Sequence, residues 1–455
     1  MKIVIIGGGI SGCTAYLQLK KHLPKPPSPD EDHEITIYEA YDTNKDTTCD
    51  ERDGPTHSST LIVGGGLGIG PNGLNVLKRL DEDLLRDIVR GGYVVPTSNM
   101  KNKNGRLLIR MDASDEPTSP NELPMHMLGC SRHWFWRCLR MRIPDRDIVT
   151  KRVAEVVASP DGRNVVHFAD DSPPVEADLV IGADGLKGIV KRALFPEAEG
   201  DPFPPHYEGL SGVGGFISAD KVKDDVEKGS MNFIIGGNGF FGYFYSDSAR
   251  SAPHRDSPYH VSEPGESLGW WSTYQVDECP NPKTIDKEDV ARQLRERYSS
   301  WKDAVIQKVL HSLEVSNMYP TWTMPPLPTW ERNGVVLVGD AAHALPPTSG
   351  QGSSQALEDV EAFVLFLSHY LRKEYETRGP DIDVKAVIST AAKPYMELRI
   401  PRVRAILEDA KHRQNIKRDM SIVEEYLMYS FLWILGEYCV LHSSPGFHSL
   451  CWNYY

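Results

Sequence analysis

The opening residues constrain this chain more tightly than any other stretch. Lys2 to Ile6 is a short apolar run, and Gly7, Gly9 and Gly12 follow at once in G-x-G-x-x-G spacing. A helix-compatible segment then runs from Cys13 to Lys21. This order predicts a strand, a tight turn and a helix. Gly7 permits the turn, Gly9 lets the backbone approach a pyrophosphate, and Gly12 lets the helix pack closely on the strand. Phosphates would meet the helix N-terminus and its unpaired N–H groups, which makes Gly7, Gly9, Ser11 and Gly12 candidate cofactor-binding positions. A glycine-rich turn without a ligand is the bland alternative.

A carboxylate is expected to close the next strand. Glu34-Ile35-Thr36-Ile37-Tyr38-Glu39 supplies it, with Glu39 placed to accept hydrogen bonds from a ribose 2′-OH, which argues against a 2′-phosphate there. The long gap between Gly12 and Glu39 is explained by the insert Leu23 to Asp32, whose prolines suit a surface loop and neither helix nor central strand.

Two later segments repeat the strand-to-carboxylate pattern. Val175 to Gly185 is an apolar strand ending in Asp184-Gly185, with a helix expected over Leu186 to Leu194. Gly334 to Asp340 is another buried strand ending in a carboxylate. Each Asp falls at the carboxyl end of a parallel strand, where doubly wound sheets bind ligands. Asp340 can bond a ribitol hydroxyl, while Gly350-Gln351-Gly352-Ser353 opens the next helix and offers N–H groups. His343 reads as a packed turn residue more readily than as a catalytic base.

At 455 residues the chain suits two or three domains, and a net charge of −13 argues against a nucleic-acid partner. The seven cysteines show no C-x-x-C spacing, so reduced thiols, a cytoplasmic setting and no metal site are expected. The apolar start is too short for a signal peptide. Tyr426 to Gly436 is uncharged and aromatic-rich but too short to span a bilayer, and reads as a core-packed helix closing the domain; membrane-surface contact is the less favoured reading.

Loops are expected at Asp42 to Ser59, Asp112 to Glu122 and Ser246 to Ser267. Leu210 to Ile217, Met231 to Ile235, Phe240 to Tyr245 and Leu268 to Val276 read as strands of a mostly antiparallel sheet. Gln355 to Tyr375 and Val384 to Lys417 read as long helices, with breaks at Pro394 and Pro401. The fold class is therefore α/β: a Rossmann-like dinucleotide domain interrupted in sequence (1–80, 125–200 and 325–365), a substrate-side β-sheet domain (81–124 and 201–324) and C-terminal helices (366–455).

Taken in order, these motifs resemble the FAD-dependent aromatic hydroxylase superfamily, the single-component flavin monooxygenases that include para-hydroxybenzoate hydroxylase, salicylate hydroxylase-like enzymes and the tetracycline-inactivating monooxygenases. Gly339 to Gly352 is similar to the family's G-D-A-A-H-x-x-x-P-x-x-G-Q-G. Gly64 to Gly73 resembles its flavin-side loop, which brings in Gly65 and Gly66. Arg132 resembles its FAD-contacting arginine, and Tyr395 to Arg402 its Y-x-x-x-R-x-P-R helix.

The resemblance implies that FAD is reduced by a nicotinamide cofactor, NADPH by preference. O2 then adds to the flavin as a C4a-hydroperoxide, and one oxygen atom passes to a hydrophobic small molecule by hydroxylation or epoxidation, in secondary metabolism. The loop Pro346 to Gly350 would border the reacting edge of the flavin, which makes Pro347 a catalytic-site candidate. Gly188 and Lys191 stand where the family's D-G-x-x-S-x-V-R has Ser and Arg, and Gly214 stands where many members carry a substrate-holding Arg. The remaining pocket candidates are Phe240, Phe241, Tyr243, Tyr245, Trp270 and Trp271; Tyr245 is expected to reach substrate with its hydroxyl, although strand alternation lets only half of them face one side. The alternatives are a flavin oxidase, reductase or desaturase of the same fold that inserts no oxygen, and a noncatalytic FAD-binding protein. The W-x-W-x-I-P segment of flavin halogenases is absent.

Overall fold

The computed structural model describes residues 1–28, 32–43, 65–117, 119, 121–281, 284–315 and 318–441. Gly64 and most of the expected loop from Asp42 to Ser59 lie outside them.

The strand β1 (Lys2–Ile6) pairs in parallel with β2 (Glu34–Glu39) and with β12 (Leu179–Gly182). The sheet order is β18 (Glu331–Arg332), β19 (Val335–Leu337), β12, β1, β2 and β8 (Ile148–Thr150), and β18 alone runs antiparallel to its neighbour. Near-continuous apolar strands such as Ile3-Val4-Ile5-Ile6 suit a sheet buried on both faces. Helix α1 (Ile10–His22) packs beside α7 (Gly352–Arg378), and the antiparallel sheet of β9 (Val153–Val157), β10 (Asn164–Phe168) and β11 (Val175–Ala177) joins the same core.

Helix α8 (Val384–Gln414) runs along α7 without the breaks expected at Pro394 and Pro401; both prolines lie inside it. A mid-helix proline costs about 3 kcal/mol. Here Val387, Ile388, Ala391, Ala392, Tyr395, Val403, Ile406 and Leu407 bury one helical stripe on both sides of the prolines, and that packing outweighs the lost backbone bonds. The helix expected over Leu186 to Leu194 is likewise reduced to a single 3-10 turn at Val190–Leu194, because Asp184 Oδ2 accepts the Val190 N–H and Gly185 turns the chain at φ 76°.

The expected antiparallel strands form one seven-stranded sheet. Its order is β17 (Met318–Thr323), β13 (His206–Ser218), β16 (Ser267–Gln275), β15 (Gly239–Tyr245), β14 (Ser230–Gly236), β5 (Thr97–Asn102) and β6 (Leu107–Asp112), with only β14 and β5 parallel. Helices α5 (Lys287–Tyr298) and α6 (Ala304–His311) cover one face. A small sheet of β3 (Gly66–Ile69), β7 (Met127–Ser131) and β4 (Gly92–Val95) sits between the two cores with α2 (Pro71–Leu80) and α4 (Arg132–Arg140). Helix α3 (Glu82–Arg90), expected in the substrate-side domain, instead buries Leu84, Leu85, Ile88 and Val89 in the dinucleotide-side core, where its amphipathic stripe meets α2 and α4.

The C-terminal α9 (Ile422–Leu441) lies on β6 and is core-packed on one side only, with Tyr429 buried beside Leu108, Ile235 and Phe240 and with Met428 and Leu432 against them. Tyr429 and Glu425 are buried, but Ile422, Val423, Tyr426, Leu427, Phe431 and Ile434 are at least 59% exposed, because the helix rests on the sheet by one side only. Among the described residues no helix is long and apolar enough to cross a membrane.

Candidate functional site

Both ends of the opening motif are held by contacts that only glycine allows. Gly7 has φ 102°, and a Cβ there would stand 2.4 Å from the Ala183 carbonyl; a Cβ at Gly12 would meet the Gly7 carbonyl at 1.9 Å. The turn is thus pressed between β12 and its own helix. Helix α1 has Gly9 as its N-cap, with no side-chain cap and no acidic residue in its first turn, leaving its N–H groups and positive dipole end available to an anion. Glu39 closes the same turn: its Oε2 accepts the Gly8 N–H at 2.6 Å and its Oε1 the Tyr41 N–H at 3.1 Å. Burial raises the Glu39 carboxyl, and those N–H groups oppose the shift. Trp136 on α4, which sequence reasoning missed, donates from Nε1 to Gly8 O at 2.8 Å. Its place four residues after Arg132, one turn along the same helix face, was the available signal.

At the end of β12, Asp184 Oδ2 accepts from Val190 N at 3.0 Å, while its buried Oδ1 has no hydrogen-bond partner. Burial pushes this carboxyl up to about 6. A Cβ at Gly188 would stand 2.2 Å from that carboxylate, which explains glycine where the family pattern has serine. Lys191 turns away to Asp201 Oδ2 at 2.8 Å and Phe203 O at 2.6 Å.

The third segment faces the first two. Gly339 has φ 59° and rests against Ser11, whose Oγ a Cβ at Gly339 would meet at 2.5 Å. Asp340 remains accessible to solvent although protein crowds its carboxyl closely. Desolvation raises its carboxyl, opposed by the charges of His343 and Arg132, so Arg132 and Asp340 belong to one electrostatic neighbourhood. Gly350 turns left-handed at φ 62° before α7, and Gly65 and Gly352 have no atom within 4 Å of an added Cβ, as expected of a wall facing a ligand. The start of α7 is tied to the β3 turn: Ser353 Oγ donates to Gly68 O at 3.4 Å and Ser354 Oγ accepts from Gly70 N at 3.1 Å. The Nε2 of Gln351, also buried, is unpartnered.

Below this wall runs a buried ionic network that sequence reasoning did not find. Asp359 accepts from Gly339 N at 3.0 Å, meets His343 Nε2 at 2.5 Å, and takes Arg399 Nε at 2.8 Å. Arg399 and Arg402 both bond Glu358, and Tyr395 donates to Leu337 O at 2.9 Å. His343 is therefore a packed structural residue, and the Tyr395 to Arg402 helix is the brace of the Gly339 turn.

Beside this candidate cofactor channel lies the aromatic face of the seven-stranded sheet, the candidate substrate cleft. Strand alternation divides the six aromatic candidates. Phe241, Tyr243, Tyr245 and Trp270 point to the face covered by α5, α6 and Tyr93: Phe241 stacks on Trp270 at 5.6 Å, and the Tyr245 ring lies 5.4 Å from that of Tyr93. Tyr245, expected to reach substrate with its hydroxyl, is turned by its register to the face that holds Tyr93. Phe240 and Trp271 point to the opposite face, with Phe233, Phe244 and Gly214 in the same rows. Trp271 lies flat over Gly242, where a Cβ would meet its ring at 2.3 Å. Phe244 packs against Gly66 and Gly129, joining this face to the cofactor wall. Phe233, Trp271 and Gly214, on this face, are only half-buried. Pro347 is exposed, in the 3-10 turn Pro347–Ser349 just before Gly350. Among the described residues no group of three His, Cys, Asp or Glu side chains could hold a metal ion.

The residues fit FAD: uncapped helix N-termini suit a pyrophosphate, Glu39 a ribose, and the orphaned Asp184 oxygen a hydroxyl or amide donor. Comparison with known proteins agrees. A family model described as an FAD binding domain matches residues 152–379, half of the chain. Zeaxanthin epoxidase of Spinacia oleracea is 24% identical over 411 residues, covering 89% of this chain and 52% of its own, so the chain spans about half the length of that relative. The 3-amino-4-hydroxybenzoate 2-monooxygenase PtmB3 of Streptomyces platensis is 23% identical over 447 residues and covers 96% of each chain. The crystal structure of Klebsiella pneumoniae HpxO complexed with FAD and uric acid superposes with a TM-score of 0.68 at 18% identity, covering 95% of this chain and 92% of its own.

Proposed function

This chain belongs to the FAD binding domain family, and from that premise we propose that it is an FAD-dependent monooxygenase that consumes NADPH and inserts one atom of O2 into a hydrophobic small molecule by hydroxylation or epoxidation. The observation that carries the reading is the adjacency of two surfaces: the channel lined by Gly7 to Gly12, Glu39, Asp184, Asp340 and Gly350 to Ser353, and the aromatic floor of Phe233 and Trp271, joined at Phe244 and Gly66. Relatives named as an epoxidase and as a monooxygenase support it. An aromatic cleft of this kind suits an aromatic or polyene substrate of secondary metabolism.

Bound FAD would supply the redox chemistry, taking reducing equivalents from the nicotinamide and activating O2. The protein's part is positioning. Gly7, Gly9, Ser11 and Gly12 would hold the phosphates, Glu39 the adenosine ribose, and Asp340 with Arg132 the chain between phosphate and ring. Gly65, Gly66, Gly350, Gly352 and Ser353 would hold the flavin end, with Pro347 beside them in the turn before Gly350. Phe244 and Trp271 exclude water where oxygen is transferred.

The test is stepwise. The purified protein should be yellow, and its flavin should bleach with NADPH under anaerobic conditions. With a turned-over substrate, label from 18O2 should enter the product. Bleaching without label in any product, and with H2O2 as the sole oxygen product, would favour an oxidase or reductase.

A further inference from the structure

Among the described residues two lysines are buried, Lys191 and Lys417, at 3% and 6% exposure. The chain treats them differently. Lys191 is matched by Asp201 and the Phe203 carbonyl. Lys417 has no carboxylate, carbonyl or hydroxyl partner among the described residues; its Nζ stands 4.4 Å from the centroid of the Phe240 ring. The acids that follow it in sequence are engaged elsewhere: Asp419 with Arg297 at 2.7 Å and Glu425 with Lys103 at 2.8 Å. Burial pushes its ammonium down to about 7, with no charged neighbour to restore it.

Its position gives this arrangement a meaning. Lys417 ends the 3-10 turn Asn415–Lys417 that follows α8, and this turn lies against β14, β15 and β16. The chain continues on the sheet, with Arg418 donating to Glu208 O at 2.9 Å and Met420 N to Gly237 O at 2.6 Å. The Phe240 ring below Lys417 is 6.0 Å from the rings of both Phe233 and Trp271, the floor of the cleft. A buried cation over an aromatic face gains from the ring quadrupole, but that gain is small beside the cost of leaving an ammonium unpaired. A methionine would fill the same space without that cost. Gly214, on the same floor, brings no cation of its own.

We propose that Lys417 is the substrate-recognition residue of this cleft, receiving an anionic oxygen, a carboxylate or an ionised enol or phenol, of a molecule whose apolar body lies on Phe233 and Trp271. The proposal rests on the reading of the cleft as the substrate side of the FAD site.

The probes are 2-naphthoate and 2-naphthamide, matched in shape and different in charge, titrated into the FAD-loaded full-length protein and read by perturbation of the flavin absorbance. Wild type should bind the naphthoate roughly tenfold or more tightly than the amide, as a charge-assisted hydrogen bond would give. Lys417→Met should erase that preference while leaving the amide affinity unchanged, and Lys417→Arg should keep part of it. Thermal unfolding of the FAD-loaded Lys417→Met protein should show it at least as stable as wild type, since no structural partner is lost. Failure of wild type to bind naphthoate, equal binding of the two probes, survival of the preference in Lys417→Met, or a destabilised Lys417→Met protein would each overturn the proposal. Failure of the FAD reading is separate: it would appear beforehand as a protein that binds no flavin.

Discussion

The His343 imidazole and the Asp359 carboxylate meet at 2.5 Å beneath the Gly339 turn, with Arg399 Nε on the other carboxylate oxygen at 2.8 Å. The turn that would carry the flavin side of the site is thus held from below by a buried hydrogen-bonded network. Burial pushes the Asp359 carboxyl up, but His343 and Arg399 outweigh it and hold it below its ordinary value of 3.8.

Removing Asp359 leaves the Arg399 guanidinium buried with one carboxylate partner fewer. Asp359→Ala should therefore cost about 3–5 kcal/mol of stability, read by urea unfolding of the FAD-loaded protein. A depressed carboxyl contributes stability that is present above its unfolded pKa and lost as pH falls through its folded one. The wild-type acid limb below about pH 4 should accordingly be steeper than that of Asp359→Asn.

Asp184 has the opposite sign. Its folded carboxyl sits at about 6 against an ordinary 3.8, so the folded apoprotein binds the extra proton and loses stability as pH rises between those values. A donor from FAD on the orphaned Oδ1 would favour the ionised form. FAD affinity should therefore increase from pH 4 to pH 6 in wild type and stay flat in Asp184→Asn, measured by quenching of flavin fluorescence.

Glu39 already accepts the Gly8 N–H and is placed to accept from the ribose. Glu39→Ala should weaken FAD binding by about 2 kcal/mol, or some thirtyfold, with the same titration as the readout. An unchanged Kd would move the adenosine end of the cofactor elsewhere.

The sorting of aromatics by strand register gives a paired test. Tyr245→Phe should leave NADPH oxidation and FAD binding unchanged, because its ring faces Tyr93. Gly242→Ala should push Trp271 off the sheet floor and raise the share of NADPH oxidised to H2O2, with FAD still bound.

The parts of the molecule legible in the sequence were those set by local pattern. Gly7, Gly9 and Gly12 between an apolar strand and a helix, the two strand-terminal carboxylates Asp184 and Asp340, and four aromatic-rich strands could each be read from a short window, because turn chemistry and side-chain period act over a few residues. What escaped depends on distant partners. The Asp359–Arg399 pair links residues 40 apart in sequence and looks, locally, like ordinary helix-surface charge. Pro394 and Pro401 read locally as breaks, and only the buried stripe of α8 outweighs them. Strand alternation alone says that the six pocket aromatics divide between two faces; which face Tyr245 takes depends on register, which is fixed by pairing and not by composition.

Titrating FAD into the purified apoprotein tests the central claim most directly. The convergence of Gly7 to Gly12, Asp184 and Gly350 to Ser353 on one channel predicts saturable binding of one FAD per chain with quenched fluorescence and a yellow protein. A chain that remains colourless and shows no saturable uptake of FAD would contradict the account.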